Sequence, residues 1–295
     1  MPEVTIPPGI EGIVGITELP DPAWADRWDR IIVADELKDR LLNYMVFALR
    51  HRSRVRPVAL PVHGLVILSG PPGTGKTTLA GGLADRAAQE LGQPVLFVDV
   101  NPHAFPSQLL GESQRSVARL FERTLPDLAG RGMSTVVLLD EVEALAVNRS
   151  GASLETNPVD VHRATEAVLS GVDHVARTCP GVTFIATTNH RAGVDVAFES
   201  RADLIEEIPY PNADAVQAIL VDTLRELTDR RLDGAGLRAL ADRCAAAKVD
   251  ARQVRKLVLR AICDRRDLAI DPSAIEVADL EATFSAEHGR PESAT

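Results

Sequence analysis

Residues Gly70 to Thr77 read GPPGTGKT and fit the phosphate-loop pattern G-x-x-x-x-G-K-[ST] at every fixed position. The chemistry is anion binding. Glycines let the backbone wrap tightly and turn successive N–H groups inward, and a helix opening at the end of the loop adds its positive pole. Lys76 is placed to reach β- and γ-phosphates, and the Thr77 hydroxyl to ligate Mg²⁺. Gly70, Pro71, Pro72, Gly73, Thr74, Gly75 and Thr78 complete the expected cradle. Downstream, VVLLDE ends in Asp140 and Glu141. At the C-terminal end of a strand, Asp140 would face the same Mg²⁺ and Glu141 would polarise an attacking water. A protein that only bound nucleotide would not need the second acid. ATTN then puts Asn189 at the same sheet edge, able to hold that water together with Glu141. A turn-forming Asn is the competing reading, and only register with the other motifs favours the functional one.

These groups need a scaffold that brings strand ends together. GLVILSG (64–70), PVLFVDV (94–100), TVVLLDE (135–141) and VTFIATTN (182–189) are short continuous apolar runs, the pattern of strands buried on both faces. Helix-length segments separate them, among them Lys76 to Leu91 and Ser113 to Leu125. An earlier helix is expected from Ala34 to Arg50, with Leu37, Leu41, Tyr44, Met45 and Ala48 on one face. Alternating strands and helices predict an α/β fold, a parallel sheet covered by helices on both faces. Beyond residue 209 the pattern is helical only, marked by Val216, Ile219, Leu220, Leu224 and Leu227, by Leu237, Leu240 and Ala241, and by Val254, Leu257, Val258 and Ala261. The expected division is an irregular Pro- and Gly-rich tail over 1–22, a large nucleotide-binding domain over 23–209 and a small helical domain over 210–295.

Composition narrows the function classes. The net charge of −10 and the absence of a basic run disfavour a nucleic-acid footprint. The longest apolar runs are strand-sized, so no membrane partner is expected, and the N-terminus lacks the basic start and apolar core of a signal peptide. Cys179, Cys244 and Cys263 share no metal spacing and read as small buried hydrophobes in a reducing compartment, so the expected location is cytoplasmic.

Together these motifs resemble those of the AAA+ ATPases, and more narrowly of the pachytene-checkpoint ATPases that remodel HORMA-domain proteins. WDRIIVADELKDRLLNYM (28–45), LLDEVEALA and PVDVHRATEAVLSGVD carry part of the likeness. VDVAFESRADL (194–204) and DARQVRKL (250–257) are its most specific segments. The resemblance implies a P-loop AAA+ sheet followed by a helical lid, with ATP and Mg²⁺ bound between neighbours in a homohexamer. It implies that Arg201 is the arginine finger reaching the next subunit's γ-phosphate, and that Arg252 is the sensor-2 arginine, with Arg255 its competitor. Ile31 and Ile32 would lie near the adenine, a core role being equally open. Aligned on ESQRSVARLF, the stretch QLLGES becomes the first pore loop. There Leu109 and Leu110 stand where the family carries an aromatic, packing on the neighbouring helix being the alternative; residues 148–158 would form the second pore loop. With fewer than thirty residues before Trp28, the chain resembles the short bacterial members associated with cyclic-nucleotide anti-phage operons, which act on a bacterial HORMA protein. Two other classes compete: a nucleic-acid loader, which wants a basic inner surface, and a nucleotide-gated scaffold, against which Glu141, Asn189 and Arg201 argue together.

Overall fold

The apolar runs become strands of one mixed sheet, and the alternation of side chains along each strand sends half of them to either face. The computed structural model describes residues 12–55, 59–101, 112–130, 132–144, 158–228 and 232–288. The strands are β1 (Ile13–Leu19), β2 (Leu65–Ser69), β3 (Val95–Val100), β4 (Ser134–Leu139), β5 (Val182–Thr188) and β6 (Leu204–Glu207). Their order across the sheet is β1-β3-β4-β5-β2-β6. All pairings are parallel except β1 with β3, which is antiparallel. β1 corrects the expectation of an irregular tail. Gly12 and Pro20 mark the ends of a strand rather than disorder, and the run Ile13–Thr17 between them supplies the β-branched residues a strand favours.

Two clusters of buried side chains cover the two faces. On one, Ile67, Val98, Val137, Leu139 and Phe184 meet α4 (Glu112–Arg119), α6 (Pro158–Thr178) and the turns between them through Val117, Phe121, Val168 and Val172. On the other, Val66, Leu68, Phe97, Val136, Leu138 and Ile185 meet α1 (Ala25–Asp29), α2 (Asp35–His51) and α3 (Lys76–Leu91) through Trp28, Leu41, Met45, Leu79 and Leu83. Between α4 and α5 (Leu125–Ala129) the helix widens to a π turn over Leu120–Thr124, where the Leu125 N–H reaches back to Leu120 O. The cause is Pro126, which has no N–H to give the carbonyl four residues earlier.

The first compact unit is Met1–Gly70 with Lys76–Ile208; the second is Pro71–Gly75 with Pro209–Thr295. The second is helical: α8 (Ala213–Arg225), α9 (Gly234–Ala246), α10 (Ala251–Cys263), α11 (Arg266–Ile270) and α12 (Val277–His288). Side chains cap the three longest starts. Asn212 accepts from Ala215 N at 2.9 Å, Asp233 from Gly236 N at 2.9 Å, and Asp250 from Gln253 N at 2.9 Å. Leu220, Leu240, Ala241, Val254 and Val258 fill its interior. Cys244 is buried there, which pushes its thiol up to about 11. Cys263 is exposed, against the expectation of three buried thiols, because it ends α10 on the outer side. Leu227 also lies outside the expected apolar stripe: α8 stops at Arg225 and Leu227 is exposed. No helix of the described residues is long and apolar enough to cross a membrane.

Packing in the first unit is tight where α6 crosses the π turn. A Cβ on Gly171 would fall 2.4 Å from Phe121 Cγ. Phe121 is fully buried and its ring lies 5.8 Å from that of Phe184, so it has no room to retreat. Replacing a helical Gly by Ala gains about 1 kcal/mol in propensity, whereas overpacking costs about 1–3 kcal/mol. Gly171→Ala is therefore expected to lower stability by about 1–2 kcal/mol, read as an earlier urea midpoint. In a Phe121→Leu background the same change should cost less.

Candidate nucleotide site

The loop after β2 is built on glycines at positive φ: Gly70 at 144°, Gly73 at 78° and Gly75 at 94°. Gly70 has a steric reason as well, since a Cβ there would lie 2.1 Å from Ile208 O. Within the loop, Thr74 Oγ1 donates to Pro71 O at 3.0 Å. Lys76 begins α3, is 5% exposed, and donates from Nζ to Gly70 O at 2.8 Å. Thr77 and Thr78 follow on the first turn and are exposed.

Asp140 and Glu141 follow β4 directly, and Asn189 follows β5. Asp140 is the hub. Its Oδ1 accepts from Thr77 Oγ1 at 2.8 Å and from Thr187 Oγ1 at 2.5 Å. The Thr187 hydroxyl accepts in turn from Glu141 N at 3.0 Å. Glu141 has φ 54°, an uncommon conformation for a residue with a Cβ, and that backbone bond helps to hold it there. Its Oε1 accepts from Asn189 Nδ2 at 3.1 Å, while Asn189 N donates to Glu143 Oε1 at 3.0 Å. Thr77, Asp140, Glu141 and Asn189 thus form one hydrogen-bonded constellation. Thr187 and Glu143 belong to it and were missed in the sequence. ATTN and DEVE contain them, but neither residue stands out by type at those positions.

The donor set suits a hard cation. Each Thr hydroxyl gives its proton to Asp140 Oδ1, leaving the Thr77 lone pairs and Asp140 Oδ2 as oxygen ligands. Among the described residues no group of three or more His, Cys, Asp or Glu gathers in metal-binding geometry. Mg²⁺ needs no such cage when it is shared with phosphate oxygens. A further carboxyl, Asp99 on β3, is held above the usual carboxylate range by burial first and by the charge of Asp140 second, with Arg27 opposing both.

Ile31, Ile32 and Arg201, in the first unit, have other surroundings. Ile31 is buried in the core cluster between the sheet and α2–α3, and Ile32 is half-buried. Arg252 is exposed on the first turn of α10, with its backbone N–H donating to Gly73 O at 3.3 Å within the second unit; Arg255 is half-buried one turn on. Arg201 follows the short helix α7 (Val196–Glu199). Its Nε and Nη2 donate to Asp173 Oδ1 and Oδ2, both at 2.8 Å, and its Nη1 to Ala197 O at 2.6 Å. Hydrogen bonding to Asp173 raises its pKa further. Leu109, Leu110 and residues 148–157 lie outside the described residues.

Two residues later in the same segment, Asp203 is structural. It accepts from Tyr44 Oη at 2.5 Å and from the backbone N–H of His63, Gly64 and Leu65 at 3.1, 2.7 and 3.2 Å. Burial, and then Asp203, push the Tyr44 hydroxyl well above the usual phenol range. Nearby Arg52, 4% exposed, donates to Val62 O, Ala176 O and Val182 O.

Residues 66–210 match the family of ATPases associated with various cellular activities, AAA. CD-NTase-associated protein 6 of Pseudomonas aeruginosa is 42% identical over 288 residues, covering 96% of this chain and 93% of that protein. The human pachytene checkpoint protein 2 homolog is 32% identical over 213 residues, 71% of this chain. This chain spans about half the length of the pachytene checkpoint relatives, 49% in the human case. A chain in the solved E. coli MS115-1 HORMA:CdnC:Trip13 complex shares the fold with a TM-score of 0.79 at 21% identity, over 95% of this chain and 97% of that one. C. elegans PCH-2 shares it with a TM-score of 0.76 at 22% identity, over 95% of this chain and 77% of that one. A sheet with helices on both faces, a glycine loop closing on a buried lysine and a helical C-terminal unit therefore belong to a member of the AAA ATPase family, in the branch that holds CD-NTase-associated protein 6 and the pachytene checkpoint proteins.

Proposed function

We propose that this chain is an ATP-hydrolysing protein remodeller that works as a ring of six copies and opens a HORMA-domain protein, and so regulates anti-phage signalling. The observation that carries the hydrolytic part is the unbroken hydrogen-bond path Thr77–Asp140–Thr187–Glu141–Asn189. The loop amides and Lys76 bind the phosphates. Thr77 and Asp140 would hold Mg²⁺, which when bound would supply positive charge to the phosphates. Glu141 accepts a proton from the attacking water while that water's oxygen bonds to the γ-phosphorus and the bond to ADP breaks. Asn189 fixes the rotation of the Glu141 carboxylate, so the base is already oriented when water arrives. Arg201 of a neighbouring copy stabilises the charge on the transferring phosphoryl group, and Arg252 reports the γ-phosphate to the helical lid.

Support for the HORMA substrate is of another kind. The segments AFESRAD and ARQVRKL resemble the pachytene-checkpoint pattern, kinship runs at 42% along nearly the whole of CD-NTase-associated protein 6, and a similarly folded chain sits in a complex with a HORMA protein. HORMA proteins hold a closed state with a C-terminal segment wrapped round a partner peptide. Opening it requires local unfolding, whose free energy can approach the global stability. Leu109 and Leu110 supply an apolar, sequence-tolerant grip in the pore, with 148–158 as the second loop, so that hydrolysis does that work on a disordered end of the substrate. The acidic balance of the chain speaks against a nucleic-acid substrate, and added DNA should leave the ATPase rate unchanged.

Glu141→Gln is expected to bind Mg-ATP and to lose turnover by about 10²-fold or more, as loss of a general base does; Lys76→Ala fails earlier, in nucleotide binding itself. A Glu141→Gln protein that turns over normally removes the role given to that residue. Arg201→Ala should keep nucleotide affinity, lose about 10³-fold or more in kcat, and regain part of it when mixed with Lys76→Ala subunits. Absence of that rescue despite demonstrated subunit exchange would place Arg201 within its own chain's site or outside catalysis. Leu109→Ala/Leu110→Ala should keep basal ATPase and fail to release a bound peptide from a closed HORMA partner. Release at the normal rate would show that the leucines are not the grip, and loss of folding would show them to be core residues.

A further inference from the structure

Arg201 is not a loose side chain. An arginine carries five N–H donors in a fixed plane. Three are engaged here: Nε–H and one Nη2–H on the two oxygens of Asp173, and one Nη1–H on Ala197 O. The two that remain sit on the two terminal nitrogens, which is the fork that takes an oxyanion side by side. Both partners come from rooted elements. Asp173 is on α6, whose Val168, Val172 and Val175 are fully buried, and Ala197 is on α7, whose Phe198 is fully buried. Asp203, two residues past Arg201, is tied to the start of β2. The Arg201 side chain, 22% exposed, borders a surface cavity of about 490 Å³ lined also by Pro61, His63, Arg177 and Ser200. A part-exposed ion pair of this kind contributes little to stability after solvent screening. Its consequence is orientation.

We infer that Asp173 is a positioning residue for hydrolysis in the adjacent copy: it clamps Arg201 by its Nε/Nη2 edge so that the donors remaining on the two terminal nitrogens are presented to the neighbour's γ-phosphate. This rests on the trans-acting reading of Arg201, and Arg201→Ala measured alone tests that reading separately. Asp173 touches no nucleotide in this scheme. It removes the rotamer freedom that a long side chain would otherwise lose at each turnover.

The test is Asp173→Asn in the full-length protein, a substitution of nearly equal shape that keeps one acceptor oxygen and loses the charge. The kcat for ATP should fall about tenfold, the loss of one charge-assisted contact, against about 10³-fold for Arg201→Ala, with the Kd for nucleotide and the melting temperature unchanged. Mixing Asp173→Asn with Lys76→Ala subunits should restore turnover, because intact arginines with intact clamps then face intact phosphate loops. A purely structural defect would not be repaired in that way. In the Arg201→Ala background, Asp173→Asn should have no further effect. Asp173→Glu, which keeps the charge, should retain more activity than Asp173→Asn. If Arg201→Ala abolishes turnover but Asp173→Asn leaves kcat unchanged, the clamp is wrong and the finger stands. If Arg201→Ala leaves turnover intact, the finger reading itself has failed. A rise in kcat for Asp173→Asn would mean that the pair holds Arg201 back, and would overturn the proposal. So would a loss of kcat that persists in the Arg201→Ala background or in the mixture.

Discussion

Asp140 Oδ1 accepts two hydroxyl protons, one from Thr77 on α3 and one from Thr187 on β5. The rest of the site depends on this doubly bonded oxygen. Hydrogen bonds to a charged group are each worth about 1.5–3 kcal/mol net, more than neutral ones. Here they join the first turn of the helix after the phosphate loop to the ends of two central strands. Thr187 carries the link onward, because the oxygen that donates to Asp140 also accepts the Glu141 N–H and so supports a backbone at φ 54°. If Asp140 were moved, the Thr77 hydroxyl, the Thr187 rotamer and the Glu141 backbone would all lose their reference. Sheet topology makes the arrangement possible: β2, β4 and β5 run parallel, so their C-terminal ends meet at one edge.

The two halves of the proposed site are held by different physics. The half that would bind nucleotide is polar and crowded with acids, and Asp99 feels Asp140 through partly buried surroundings. A divalent cation at Asp140 would relieve that repulsion, which makes cation binding and Asp99 ionisation mutually favourable. The arginine half is anchored from outside the polar cluster. Phe198 fixes α7 in the core, and Asp203 fixes the chain after it through Tyr44 and three amides. Arg52 closes the same corner. It supplies donors to Ala176 O in the last turn of α6, where cationic groups are favoured by the helix dipole. In the segment SRAD, then, one charged residue serves the surface and the other the scaffold.

Much of this was legible in the sequence because it depends on local patterns. Continuous apolar runs marked the four central strands, and the phosphate loop announced itself by glycine spacing ahead of a helix. Asp140, Glu141 and Asn189 were readable because strand ends in a parallel sheet share an edge. What could not be read were partners fixed by tertiary contact. Asp173 and Arg201 lie 28 residues apart, and Tyr44 and Asp203 159 apart. Nothing in either residue's neighbourhood names the other. Thr187 was hidden by its ordinariness, a threonine in a strand being expected for packing alone. β1 was hidden by its flanks, since Pro and Gly at both ends suggested a loop while the run between them was a strand.

These differences bear on how such a chain can be tuned. Under the proposed mechanism Thr77, Asp140 and Glu141 each supply a particular lone pair or proton. Their supports act through geometry: Thr187 and Glu143 both join the network through Glu141 and Asn189, so their effects are not additive, whereas Asp203 holds a separate corner. Asp203 illustrates the constraint. Asn has nearly the same shape, but it would replace a charged acceptor of four hydrogen bonds by a neutral one and bring donors of its own into a corner already supplied with them by Arg52. The corner would lose its electrostatic balance before it lost its packing. The chain from Asp203 back to Arg201 is only two residues long, so any slack there would pass directly to the guanidinium. Arg201 and Asp203 are both half-buried, so the division within this segment is one of partners: backbone amides at the start of β2 fix Asp203, and that sets where the guanidinium two residues earlier can be.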